Sequence, residues 1–439
     1  MKERQKMIKL LNLIAVFTMS ATSTGQMMIN PNQVHKENLN YESGIIAQKN
    51  VGKLSKGSLY GFNTPLKIEN NWYGTIVKEN ILEFYKVEDK INSEFILVNS
   101  IELQENLEEI SGKSILIGNE IYYQFIINDY NNYNRANFYK LNLDNGNVEN
   151  LGSVVLDEDA VRSTFNFSGI NFHIYNNKLF ILYSDIWYNG ASIVSVDLST
   201  SEIVVLKSHN MFSMIFVENK IYYLISSNVA GKSNNLGVYD LETSEDLIFE
   251  WTESRLSKLL YYNKDVYVSK WSSSNDYDSS LNKINFSNNK LELQWVVNTP
   301  NSSIFNIFNY KNKVYMIEKF SNKITLSEFF NNKLMEITII YNWDSPRINF
   351  VKITNLYNEN SNIIFSLEKT NSIKDEVTEN IVVNLDLNSF ELKNYSKKWN
   401  KKEFSTFVIY ENDNIYISNI KVSGILYNST SIFQKTKFI

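Results

Sequence analysis

The 439-residue chain contains three histidines, His35, His173 and His209, and no cysteine. A metal centre built on histidines needs several convergent ligands, and a nucleophilic triad needs a serine or cysteine held against a positioned histidine. With His35 in a polar N-terminal stretch, only His173 and His209 remain for either task, and a histidine on a strand is expected to be packed and hydrogen-bonded. The missing cysteines exclude disulfides, thiolate metal sites, cysteine nucleophiles and a lipidated cysteine anchor. No Gly-x-Ser-x-Gly elbow, Walker loop, His-Glu-x-x-His pair or sialidase-type Ser-x-Asp-x-Gly box occurs. Carboxylates are the remaining material for catalysis. A glycosidase needs two acids about 5 to 10 Å apart, and Asp185, Asp276 and Asp278 lie in two short polar segments rich in aromatics. The run Asn275-Asp-Tyr-Asp278 also offers oxygen ligands of the kind calcium takes, with Asp276 and Asp278 as the carboxylates. The plain alternative for acids in such segments is solvation.

The same kind of segment carries Tyr130 and Tyr133 in 129–134, Trp187 and Tyr188 in 185–190, and Trp271 and Tyr277 in 270–278. Flat aromatic faces stack on sugars and anchor protein interfaces, so rings at recurring positions make a candidate ligand-binding rim. The competing reading is that they cap packing between neighbouring elements.

What positions these segments is a repeat. A turn followed by an apolar strand recurs from Asn119, Asn177, Asn219, Asn263, Asn312, Asn360 and Asn412, as in Asn219-Lys-Ile-Tyr-Tyr223, with a more degenerate copy at Asn71-Trp-Tyr-Gly-Thr75. After a polar loop each core is followed by a second hairpin, such as Val194-Ser-Val-Asp-Leu198 or Val238-Tyr-Asp-Leu-Glu242. Two hairpins make four strands, and the interval of roughly 40 to 60 residues brackets a four-stranded propeller blade. Stretches such as Leu179-Phe-Ile-Leu-Tyr183 are continuously apolar, whereas a strand with one wet face alternates. Both faces must therefore be covered. No amphipathic helical stretch lies between the hairpins to cover them, which argues against a buried parallel sheet. The rungs of a parallel β-helix, the other candidate, are shorter and lack this hairpin pattern. The chain thus reads as all-β, a single β-propeller of four-stranded antiparallel blades, eight in number with seven as the alternative. The last repeat is short of strands, and the segment 58–69 is expected to supply one and close the ring, because an open edge invites aggregation.

The alternation of "x-I-Y-Y" strands with "L-x-x-D-L-x-T-G" hairpins across residues 58–439 resembles bacterial secreted propellers of the low-density-lipoprotein-receptor-like and TolB-like kinds. That resemblance implies the fold and an extracytoplasmic habit, and it brings no catalytic residues with it.

Composition agrees with a folded, exported body. Aromatics make up 14% of the chain, whereas Gly numbers 15 and Pro 4, so Asn, Asp and Ser must make the turns. The formal charge is −5 with both signs interspersed, which argues against nucleic acid as a partner. Lys2, Arg4, Lys6 and Lys9 precede the apolar stretch Leu10 to Phe17, and small residues follow at Ser20 to Ser23. This is the pattern of a secretory signal peptide over 1–24, whose apolar stretch is well short of the roughly 20 residues that span a bilayer; a polar leader over 25–57 and the propeller over 58–439 complete the expected organisation. In propellers the second-to-third strand and blade-to-blade links share one face, where the aromatic segments fall. The sequence therefore points to an exported, monomeric, noncatalytic binding or interaction module. It would be secreted or cell-surface associated, with no transmembrane segment in the mature chain, and would meet a protein, peptide or glycan. No cofactor is expected beyond a calcium ion. The alternative class is a carbohydrate-active enzyme, a glycoside hydrolase or lyase, with a carboxylate pair at the channel mouth.

Overall fold

The computed structural model describes residues 49–437 apart from 56–62, 79, 104–109, 129–133, 158–166, 186–190, 209–210, 226–234, 252–254, 272–277, 288–289, 301, 344–348, 360, 372–375, 399–402, 412–413 and 423–428. Every regular element among the described residues is a strand, and the strands form eight four-stranded antiparallel sheets. Seven of these are consecutive in sequence: blades 1 to 7 span 63–102, 110–157, 167–208, 211–249, 255–300, 302–342 and 349–398. Blade 8 takes its inner three strands from 403–437 and its outermost from Lys49–Ser55. The protein is an eight-bladed β-propeller whose ring is closed by the strand Lys49–Ser55.

That closing strand corrects the expectation for 58–69. Asn63–Ile68 instead forms the inner strand of blade 1, paired with Asn71–Lys78, so the degenerate copy at Asn71 is a full repeat. Lys49 pairs with Lys435 and Ser55 with Thr430, which places part of the expected leader inside the fold. Blade 8 in turn touches blade 1, its outer strand lying near the third and outer strands there.

The burial pattern explains why no helix is needed. In the second strand of blade 3, Leu179, Ile181 and Tyr183 pack with Tyr122, Phe138 and Leu156 of blade 2. The alternate residues Phe180 and Leu182 pack with Met214, Ile221 and Tyr223 of blade 4. Blade 3 thus gives one side of its pleat to each neighbour. The same holds between blades 1 and 2, 4 and 5, 5 and 6, and 6 and 7. Fully burying one such side chain contributes about 1.5–3 kcal/mol.

Turn chemistry fixes the other end of each hairpin. Asn176-Asn177, Asn263-Lys264 and Lys311-Asn312 join inner to second strands, and all six residues sit at positive φ, between 46° and 65°, as a two-residue type I′ turn requires. At the same end Asn142, Asp197 and Asp240 each accept two backbone N–H groups on their side-chain Oδ1. Four residues on, Gly146, Ser201 and Ser244 take φ of 72°, 62° and 60° and donate their N–H back to those residues' carbonyls at 2.9 Å. The intervening Leu143, Leu198 and Leu241 donate to the carbonyls of Asn119, Asn177 and Asn219, at 2.8 to 3.0 Å. The repeated asparagine and the repeated Asp-Leu pair are therefore two halves of one hydrogen-bonded device that locks both turns of a blade together.

One glycine is required by a close approach. Gly237 pairs with Tyr223 across blade 4, and a Cβ there would lie 2.0 to 2.5 Å from the Tyr223 ring and hydroxyl. The bare backbone lets the wholly buried ring lie flat and extend its hydroxyl to Asp246 and to Lys207 of blade 3. Gly237→Ala should lower stability by about 1–3 kcal/mol through overpacking, measured by denaturant unfolding; an unchanged midpoint would show that the ring moves aside at no cost.

Candidate functional site

The connections divide the molecule into two unlike faces. On one, every inner-to-second strand turn has two residues, and the third-to-outer turns of blades 1 to 7 have two to six, several of them locked as described. On the other, second-to-third strand connections run over 129–133, 186–190, 226–234, 272–277, 372–375 and 423–428, while blades 1 and 6 make theirs with two residues, 79–80 and 321–322. Six of the eight blades carry connections of four to nine residues there, and blades 2 to 5 among them are neighbours.

Of the expected site residues, Tyr130, Tyr133, Trp187, Tyr188, Asp276 and Tyr277 lie outside the described residues, as does His209. The backbone places the flanking ones. Trp271 ends the second strand of blade 5, opposite Arg255 and Ser279, and Asp278 begins the third, opposite Pro300. Asp185 ends the second strand of blade 3, opposite Phe167. All three stand at the loop-bearing end. Among the described residues no three or more acidic or histidine side chains converge in a metal-binding cluster.

Beneath that face the inner strands share a feature that the sequence did not announce. A register irregularity interrupts their pairing in seven blades, at 64–65, 168, 213, 257, 305, 354 and 406. A β-bulge twists a strand and frees backbone groups from the ladder, and here the freed groups stitch blades together. The Ser213 hydroxyl accepts the Leu259 N–H of blade 5 at 2.8 Å, and the Ser114 hydroxyl of blade 2 donates to the Thr64 carbonyl of blade 1 at 2.8 Å. The Lys258 ammonium donates to the carbonyl of bulged Phe305 in blade 6 at 3.0 Å and lies 3.9 Å from that residue's ring centre.

Lys258 is the unusual group of this wall. Its stem is partly exposed while its amine is enclosed; burial, and secondarily the charge of Lys319, bring its pKa down from 10.5 to about 7. Lys113, exposed along its stem, occupies the same register in blade 2 over the Phe172 ring, and desolvation of its amine lowers its pKa too. Glu318, 6% exposed, is one of two buried carboxylates of blade 6, and the hydroxyls of Ser302 and Ser327 donate to its two oxygens. His173 packs as expected of a strand histidine, stacked on Phe216 with ring centres 4.6 Å apart. Burial lowers its pKa, a shift partly offset by its hydrogen bond to the Glu218 carbonyl.

Fold and faces together define a closed eight-bladed propeller with a loop-rich side and a trimmed side. No protein-family model and no curated protein sequence matches the chain. Among solved structures it is similar to the β-propeller domain of the Trilobed protease from Pyrococcus furiosus, at 12% identity over 75% of this chain and 96% of that one, TM-score 0.43. It is also similar to a prolyl endopeptidase, at 8% identity over 83% of this chain and 55% of that one, TM-score 0.47. A third is a puromycin-hydrolysing peptidase of Mycobacterium tuberculosis, at 7% identity over 85% and 60%, TM-score 0.45. The chain spans little more than half the length of the endopeptidase. At such identities no residue's role carries across, and the assignment of fold rests on the sheets themselves.

Because the folded Lys258 holds its proton less tightly than the unfolded chain does, the unfolded state binds more protons between about pH 7 and 10.5, and stability rises with pH across that window. Denaturant unfolding of the wild type and Lys258→Met at neutral and alkaline pH should show the wild type gaining on the variant as pH rises. A constant difference would mean that the amine stays solvated.

Proposed function

We propose that the protein is an exported, noncatalytic binding module of the bacterial cell surface or medium that presents the loop-rich face of its propeller to a glycan or an extended peptide. The observation that carries this reading is the asymmetry of the faces: six of the eight blades send out second-to-third strand connections of four to nine residues, among them those of neighbouring blades 2 to 5, 129–133, 186–190, 226–234 and 272–277, whereas every inner-to-second turn at the other end has two residues. Binding residues concentrate on loops held by a rigid scaffold. Three of these four segments carry or border the aromatics Tyr130, Tyr133, Trp187, Tyr188, Trp271 and Tyr277, ring types that stack on sugars and anchor interfaces. Asp276 and Asp278 offer the same rim an oxygen-ligated calcium ion. Export rests on the basic, apolar and small-residue succession of 1–24, and among the described residues no helix is long and apolar enough to cross a membrane.

The double variant Trp187→Ala/Trp271→Ala should abolish capture on a mixed glycan and peptide array while shifting the melting temperature by a few degrees at most. If the variant instead unfolds, the rings serve packing between blades and the rim reading fails.

A further inference from the structure

The trimmed face is not featureless. Between the turn ends of blades 4 and 5 opens a cavity of about 320 Å³, at the lower end of the roughly 300–1,000 Å³ typical of ligand pockets. Its floor is aliphatic: Val217, Val266 and Ile284 line it and are buried. One side is aromatic, formed by Tyr222 and Phe286 with ring centres 6.5 Å apart. Phe249 backs Phe286 at 4.6 Å and holds it in place, yet Phe286 remains 42% exposed.

The mouth carries charge of both signs. Lys220 and Asp265 line it but are already engaged, Lys220 with Asp240 and Asp265 with Lys283, the latter at 2.7 Å. Glu218 and Lys264 are exposed, line the same mouth from the two facing turns and form no ion pair among the described residues. Their placement follows from the turns: Glu218 precedes Asn219 in the blade 4 hairpin, and Lys264 is the second residue of the Asn263-Lys264 turn, both residues of which sit at positive φ.

This combination selects a chemistry. A sugar would find the amides of Asn219 and Asn285, but it would also set hydroxyls against the aliphatic floor, where they lose water without finding partners. A purely apolar ligand would leave the two charges unused. We infer that the cleft between blades 4 and 5 is a binding site for a small apolar zwitterion, an apolar dipeptide in its free form. An apolar side chain fills the floor against Tyr222 and Phe286, the ligand's ammonium meets Glu218, and its carboxylate meets Lys264. The site is separate from the loop-rich face and stands or falls independently of it.

Calorimetric titration of the full chain with leucyl-leucine, its N-acetyl form, its C-terminal amide and maltose tests the assignment. The free dipeptide should bind at about millimolar concentration or below. Glu218→Gln should weaken it about tenfold and leave the N-acetyl form, already weakened to that extent, unchanged; Lys264→Met should behave likewise toward the amide. Phe286→Ser should weaken every form. All three positions are exposed, so circular dichroism should report an intact fold, and Trp187→Ala/Trp271→Ala should leave this binding untouched. No heat with the dipeptide, equal binding of the blocked forms, or preference for maltose would each overturn the site.

Discussion

Mutual burial of flat sheets is the constraint on which the rest of this structure depends. A strand such as Leu179-Phe-Ile-Leu-Tyr183 has no polar side to turn to water, so its sheet is stable only between two others. Blade 3 meets that need by giving Ile181 and Tyr183 to one neighbour and Phe180 and Leu182 to the other. Helices could cover such faces in a different fold; here the repeat itself does so. A ring follows, because a row of two-faced sheets ends only when the last covers the first.

This constraint was legible because it writes itself into residue type. Continuous apolar runs showed two-sided burial, and the spacing of Asn177, Asn263 and Asn312, all at positive φ, showed the hairpins, since few residues other than Asn and Gly accept that conformation readily. The Asp-Leu pairs were visible as a pattern, but their bond to the neighbouring turn was not. The closing strand was misplaced for a related reason. Lys49–Ser55 is an outer strand with only Val51 and Leu54 as large apolar residues, so it carries little of the signal by which strands are found. The bulges left no trace, because an extra residue such as Ser257 is extra only once the partner strand's register is known. Lys258 consequently looked like any surface lysine, and the cleft beside Phe286 looked like two unrelated turns.

Division of labour between the faces follows from what each end must do. The locked end uses its backbone groups within the blade, through Asn142, Asp197, Asp240 and their partners, and so holds fixed positions for whatever side chains the turns display. The opposite end lets the second-to-third strand connections vary in length from two residues to nine, the longest of them being 226–234. Fixed placement suits a small ligand gripped by a few groups, whereas variable length suits a broad partner. A propeller can therefore offer two kinds of recognition without altering its core.

The pairing of Lys49 with Lys435 has a further meaning. Stacked repeat proteins need special terminal units, because the first and last modules each lack a neighbour and fray. Joining the two ends of the array in one sheet removes that distinction: every module is interior. Melting has no preferred starting point until this latch opens, so the ring is expected to come apart as one body.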